Sequence, residues 1–229
     1  MEVLDYVKNN YLSLAEEVEQ LGRKAGREVT LVAVTKSGSD EELVELAKAG
    51  VTDIGENRPG ELRRRGDLLR GIGYRPRLHE IGNLQRNKVK LIIETVDLIH
   101  SLDSIALATE IERQAERVGR TIPVLIEINS AREEQKGGIN PEDAEEMYLA
   151  LRSFSHIKVV GLMTMGPVCE DAEELRPYFR ETKELFDRLN SSYGFDNGGI
   201  LSMGMSDSYK VAIEEGSTLV RVGRKLFNR

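Results

Sequence analysis

The feature that most limits what this chain can fold into is a recurring alternation along its whole length: a short apolar run, a polar or amphipathic stretch, then another apolar run. The first run, TLVAVTK at 30–36, is apolar at successive positions and is closed by Lys36. Apolar residues on both faces suit a strand buried inside a parallel sheet, so Lys36 is expected at its carboxyl end, where such folds place ligands. Further runs follow at 51–57 (VTDIGEN), 77–82 (RLHEIG), 96–101 (VDLIHS), 122–129 (IPVLIEIN), 158–164 (KVVGLMT), 199–206 (GILSMGMS) and 217–223 (STLVRVG). Pro123 sits at the start of its run, where no ladder hydrogen bond is yet required.

The connecting segments read as helices. Leu4, Val7, Tyr11, Leu14, Val18 and Leu21 step by threes and fours, one face of an amphipathic helix that ends near Gly22 or Gly26. Ser39 followed by Glu42 has the spacing of a capping box, with Leu43, Leu46 and Ala47 as the buried stripe and Gly50 as the stop. A basic helix is predicted over 59–69 with Pro59 in its first turn, and a polar helix over 84–91. Asp103 is the expected cap of a helix carrying Ile105, Ala108, Ile111, Ala115 and Val118; Asn140 and Pro141 open another. A long helix spans 172–193, with Pro177 near its first turn or at a kink and with Phe179, Phe186 and Leu189 towards the core. A short helix through Val211, Ala212 and Ile213 joins the last two strands.

Eight strands linked by helices define an α/β chain. The expected architecture is a (β/α)8 TIM barrel with an extra N-terminal helix, formed as one domain over 1–229; a doubly wound open sheet is the alternative. A length of 229 residues fits such a barrel, and 31% charged with 40% apolar residues is a folded composition rather than a disordered one. The net charge of −7 argues against general nucleic-acid binding. The sequence shows neither an apolar run long enough to span a membrane nor a signal-peptide pattern at its start, which leads to the expectation of a cytoplasmic protein without a membrane partner. Cys169 is the single cysteine, so no internal disulfide can form. His79, His100 and His156 look scattered, and no metal site is expected.

In a barrel the strand ends converge on one rim, bringing together Lys36, Asn57, Gly82, Asn129, Thr164, Ser206, Arg221 and Gly223. Arg221 stands inside an apolar strand; a buried guanidinium needs a partner, so it either pairs with a carboxylate or faces a polar ligand. Gly223, followed by Arg224, lets a phosphate approach backbone N–H groups, the usual site after the seventh and eighth strands; Ser206 either adds a hydroxyl to it or caps a helix. Taken alone, Lys36 is an ordinary rim lysine. Closure makes the first and eighth strands neighbours, however, and an amine beside a phosphate cradle suggests pyridoxal 5'-phosphate held as a Schiff base, with an aldolase-type lysine on a phosphorylated sugar as the alternative. His79 reads as a core histidine satisfied by backbone, the run Arg63, Arg64 and Arg65 as a solvated helix face, and Lys136 as a loop lysine without a chemical role.

With these residues in place, the chain resembles the pyridoxal phosphate homeostasis protein family. The matching segments are 31–36, 54–57, His79 with 81–82 and 84–88, 136–139, 161–165, 201–206 and 212–223, in order along nearly the whole chain. The resemblance implies a barrel akin to the amino-terminal half of alanine racemases, with pyridoxal 5'-phosphate contacted by Lys36, Asn57, Met203, Ser206, Arg221, Gly223 and Arg224. Lys36 would form the imine, Arg221 would face the pyridine nitrogen, and Ser206 with the backbone of Gly223 and Arg224 would hold the phosphate. A permanent cation against the ring nitrogen disfavours its protonation and makes the ring a poorer electron sink. Racemases of this fold take their second acid/base from a further domain, which is not expected within 229 residues.

The implied function is a monomeric cofactor carrier that serves pyridoxal-phosphate-dependent client enzymes in vitamin B6 homeostasis with little or no turnover; the alternative is an active racemase or lyase. The chain departs from the family pattern at Gly38, Leu78, Glu80 and Ser208, and a solvent-facing position is the simplest reading of Glu80.

Overall fold

Each apolar run becomes a strand of a parallel sheet because its consecutive apolar residues can be covered on both faces only if helices lie outside and other strands' side chains lie inside. In the computed structural model, which describes residues 5–228, the strands are β1 (Thr30–Val34), β2 (Asp53–Glu56), β3 (Arg77–Glu80), β4 (Leu98–Leu102), β5 (Ile122–Ile128), β6 (Ile157–Thr164), β7 (Ile200–Ser202) and β8 (Leu219–Val222). They pair in chain order into a closed barrel, and closure is made by β1 against β8 with Val32 beside Arg221 and Ala33 beside Val222. The open-sheet alternative is thereby excluded.

The helices are α1 (Asp5–Lys24), α2 (Asp40–Lys48), α3 (Pro59–Gly71), α4 (Ile105–Val118), α5 (Ala144–Leu151), α6 (Arg176–Tyr193), α7 (Tyr209–Glu214) and α8 (Arg224–Phe227). Helix α1 precedes the barrel and buries Val7, Tyr11, Leu14 and Val18 on one face; Leu4, the first residue of that series, lies outside the described residues. The capping box at Ser39 is formed, with Ser39 Oγ accepting from Glu42 N and a Glu42 carboxylate oxygen accepting from Ser39 N.

Several expectations change in detail. The segment predicted as a polar helix over 84–91 is a 3-10 helix (Arg86–Leu91), because only Val89 within it is buried and one apolar residue makes no stripe for a regular helix to bury. The cap of α4 is Ser104 rather than Asp103: its hydroxyl accepts from Leu107 N and donates to the Asp103 carboxylate. Asn140 and Pro141 open a 3-10 turn (Pro141–Asp143) ahead of α5, and Asn140 makes no side-chain cap. Pro177 lies in the first turn of α6, where its missing N–H costs nothing. Strand β7 ends at Ser202, so Ser206 belongs to the following turn.

Two cores result. The larger lies between the barrel wall and the helices and contains Leu43, Leu62, Ile111, Phe179, Phe186 and Leu189. The smaller fills the barrel bore with Val32, Leu98, Leu125, Val160, Met163 and Leu219. A bulge in β6, where Val124 pairs with Val159 but Leu125 pairs with Gly161, lets both Val160 and Met163 face the bore despite their odd spacing. That apolar layer is interrupted by a set of buried polar side chains running across the bore.

Candidate functional site

The rim residues are positioned by the two strands that close the barrel. Val32 and Arg221 are register partners, and two residues further along both strands Gly223 approaches Val34 so closely that a β-carbon at 223 would lie 2.9 Å from the Val34 carbonyl oxygen. Lys36 follows two residues beyond the end of β1, is exposed, and forms no hydrogen bond or ion pair among the described residues. Gly223 N donates to Ser206 Oγ at 3.3 Å, which ties the turn after β7 to the turn after β8. The Arg224 guanidinium reaches out instead to the exposed carboxylate of Asp207. Met203 is fully buried beneath this turn.

Asn57 is exposed at the end of β2 and shares a cavity of about 450 Å³ with Lys36, Ser37, Glu56, Arg58, Glu61 and Arg65. Gly82 is required next to it, since a β-carbon there would fall 2.3 Å from the Asn57 carbonyl oxygen. Arg65 is 5% exposed, so the arginine run is not uniformly a solvated face: Arg63 and Arg64 are exposed, while Arg65 turns inward to the Gly38 carbonyl at 2.8 Å and to Glu56 at 3.1 Å. Its Nε faces Glu56 as a charge contact without a well-aligned hydrogen bond, and NH1 has no partner among the described residues. Burial raises the Glu56 carboxyl against the opposing pull of Thr35 and Arg65.

Asn129 braces the 130–139 loop through Glu133, and Thr164 donates to the Ile128 carbonyl and meets Ser130 at 2.9 Å. Lys136 is held by Glu133 at 2.7 Å.

Arg221 is 4% exposed and has no carboxylate in hydrogen-bond contact among the described residues. Its NH1 donates to the Ser202 carbonyl at 3.1 Å and to Ser202 Oγ, and its NH2 donates to the Thr164 carbonyl at 3.2 Å. Desolvation pulls the guanidinium down to about 10, with Glu127 pulling the other way, so it remains charged at neutral pH. Glu127 itself is pushed up to about 7 by burial, with Asp103 adding to the rise and Arg221 opposing it.

Besides Arg65, the structure departs from the sequence reading at three buried residues. His79 is a core histidine, but side chains rather than backbone satisfy it: Nε2 lies 2.9 Å from Asp53 Oδ1, and Nδ1 lies 2.9 Å from His100 Nε2. His79 and His100 are thus adjacent, not scattered, and His100 Nδ1 reaches Ser202 Oγ at 3.1 Å. Glu80 does not point to solvent; it is fully buried, desolvation raises its carboxyl to about 8, and one of its oxygens lacks a partner among the described residues. The usable signal was period two: His79, His100, Ser202 and Arg221 all fall on bore-facing positions once the strand register is known.

The Alanine racemase, N-terminal domain family matches residues 10–228 of this chain. The Pyridoxal phosphate homeostasis protein of Aquifex aeolicus is 40% identical over 215 residues, which cover 93% of each chain, and that of Helicobacter pylori is 37% identical over 201 residues and 87% of each. The chain belongs to the pyridoxal phosphate homeostasis protein family. Among solved structures, PipY of Synechococcus elongatus with PLP bound matches this family member with a TM-score of 0.83 and 28% identity, covering 97% of this chain and 100% of PipY. Alanine racemase of Clostridium difficile shares the fold at a TM-score of 0.76 and 19% identity, with 99% of this chain covering 56% of the racemase. The expected family and barrel are both confirmed.

Proposed function

We propose that this chain binds pyridoxal 5'-phosphate through Lys36 and takes part in pyridoxal phosphate homeostasis with little or no turnover. The observation that carries the reading is the β1–β8 closure, which sets the Lys36 amine, without a partner among the described residues, on the rim beside Gly223, Ser206 and the buried Arg221. The donor set suits the cofactor. The Ser206 hydroxyl and the backbone N–H groups of Gly223 and Arg224 would offer neutral hydrogen bonds to a phosphate. Lys36 would supply the amine that holds the cofactor through its aldehyde, with loss of water. Asn57, which lines one cavity with Lys36, and the buried Met203 would complete the site.

Arg221 limits the chemistry. The bound cofactor would stabilise negative charge at a substrate carbon only as far as its ring nitrogen can be protonated, and Arg221 donates hydrogen bonds and repels a proton there. That favours holding and releasing the cofactor over rapid amino-acid conversion. The names of the Aquifex and Helicobacter relatives and the PLP-bound PipY structure support the same reading. The test is the visible spectrum of the protein titrated with pyridoxal 5'-phosphate. An imine band that disappears in Lys36→Ala is expected, whereas a band that persists in that variant, or none in the parent, refutes the proposal. Sustained amino-acid turnover at about 1–1000 per second would refute the carrier role.

A further inference from the structure

The buried polar chain across the bore has more in it than side chains satisfying one another. It begins at Arg221 on β8, passes through Ser202 on β7, crosses to His100 on β4, continues to His79 on β3 and ends at Asp53 on β2. Exposures are 0% for Asp53, His100 and Ser202, 3% for His79 and 4% for Arg221, so the protons in these bonds cannot be borrowed from bulk water.

The direction of every bond follows from chemistry. Arg221 can only donate, so the Ser202 hydroxyl hydrogen has one described acceptor, His100 Nδ1. Desolvation first, then the neighbouring His79 and Arg221, hold His100 well below its ordinary range and therefore neutral, which leaves its one ring proton on Nε2. That proton points at His79 Nδ1, so His79 carries its own proton on Nε2 and gives it to Asp53 Oδ1. Argued from the other end the result is the same. Asp53 is held as a carboxylate: burial works to raise it, but hydrogen bonds from His79 and Arg77 outweigh that and leave it below its ordinary value. Arg77 also grips Asp53 at 2.7 and 2.9 Å. Four bonds hold four protons, all pointing from the cation to the anion.

Reversal is disfavoured by the same count. A doubly protonated His79 would donate to His100, which would then donate to Ser202, and the Ser202 hydroxyl hydrogen would be left without a described acceptor in the bore.

We propose that Arg221, Ser202, His100, His79 and Asp53 form a one-way hydrogen-bond relay through which Asp53, at the amino-terminal mouth of the barrel, fixes the orientation of the guanidinium at the cofactor end. His79, His100 and Ser202 are positioning residues acting through Arg221. A cavity of about 320 Å³ at that mouth is lined by Asp53, Arg77, His79, Asp97, Lys158 and Asp196, and there the fully buried Asp53 is joined to the exposed Arg77. At the other end Glu127, with Asp103 behind it, is the carboxylate facing Arg221. The cofactor half of the proposal rests on the function proposed above; the relay itself does not.

The experiment is nitrogen NMR of the histidine rings and arginine side chains in the full-length protein without cofactor at neutral pH, followed by addition of pyridoxal 5'-phosphate. Nε2-protonated tautomers at both His79 and His100 are expected, together with a shift of the Arg221 signal in Asp53→Asn that is lost when Ser202→Ala is added and restored by Ser202→Thr. A proton on Nδ1 of either ring, or an Arg221 signal indifferent to Asp53, overturns the relay. With cofactor bound, Asp53→Asn is expected to shift the imine absorbance maximum, and an unmoved maximum overturns the coupling to the cofactor. Absence of an imine band in the parent protein strikes the proposed function instead, and the tautomers and the Arg221 signal still decide the relay.

Discussion

The two ends of the barrel bore solve opposite problems. At the carboxyl-terminal rim, Lys36 and Asn57 are exposed, and Lys36 has no partner among the described residues. In the bore and at the amino-terminal mouth, Asp53, His79, His100 and Ser202 are buried and bond to one another within 3.1 Å. A polar group in water can wait for a ligand at little cost, whereas one removed from water has to be satisfied by the protein itself. Arg221 belongs to both regions: it closes the buried chain below and lies under the rim above. Rim substitutions should therefore change binding without changing stability, and bore substitutions should do both.

The largest expected effect is at the rim. Lys36→Ala should remove the imine band entirely while leaving the thermal midpoint where it was; a marked fall in that midpoint would break the contrast. In the bore, His100→Leu should destabilise the fold by about 1–3 kcal/mol for each of the two groups, on His79 and Ser202, left without a partner. Chemical denaturation would measure this, and a neutral result would show that the buried chain is dispensable.

Glu80 sharpens the contrast through pH. Its folded-state value near 8 lies above the ordinary 4.5, so the folded protein holds this proton more tightly than the unfolded chain. Its contribution is fully present below about pH 4.5 and is lost as pH rises towards 8. The slope is at most about 1.4 kcal/mol per pH unit. Glu80→Gln should flatten that part of the stability profile, and an unchanged profile would remove Glu80 from the buried set. The smallest effect is expected at Ser39, whose exposed cap on α2 should cost about 1 kcal/mol in Ser39→Ala and leave the imine band intact.

Much of this was legible from residue order. The apolar runs mark all the strands, although most strands stop one to four residues before their runs do, β6 stops with its run and β4 runs one residue past it. Ser39 and Pro59 mark their helices because capping and first-turn preferences are local. The 84–91 segment misled for the converse reason, since without an apolar stripe nothing local decides between a regular and a 3-10 helix. Lys36, Ser206, Arg221 and Gly223 could be singled out because a lysine or arginine in an apolar strand, and a glycine closing one, are conspicuous in one dimension.

What the sequence determined by itself is the alternation that demands a buried parallel sheet, and with it the candidate rim, since the apolar runs stop within a few residues of the strand ends. What only the tertiary structure decided is which buried groups meet. His100 and Ser202 are 102 positions apart, and nothing in either segment announces the other. Their contact depends on barrel closure and strand register, which place β4 and β7 on opposing walls of one bore. The same register turns His79 to Asp53 and Arg221 to Ser202. A side chain's face follows from local periodicity, but its partner across a closed sheet is set by the summed geometry of every strand between them.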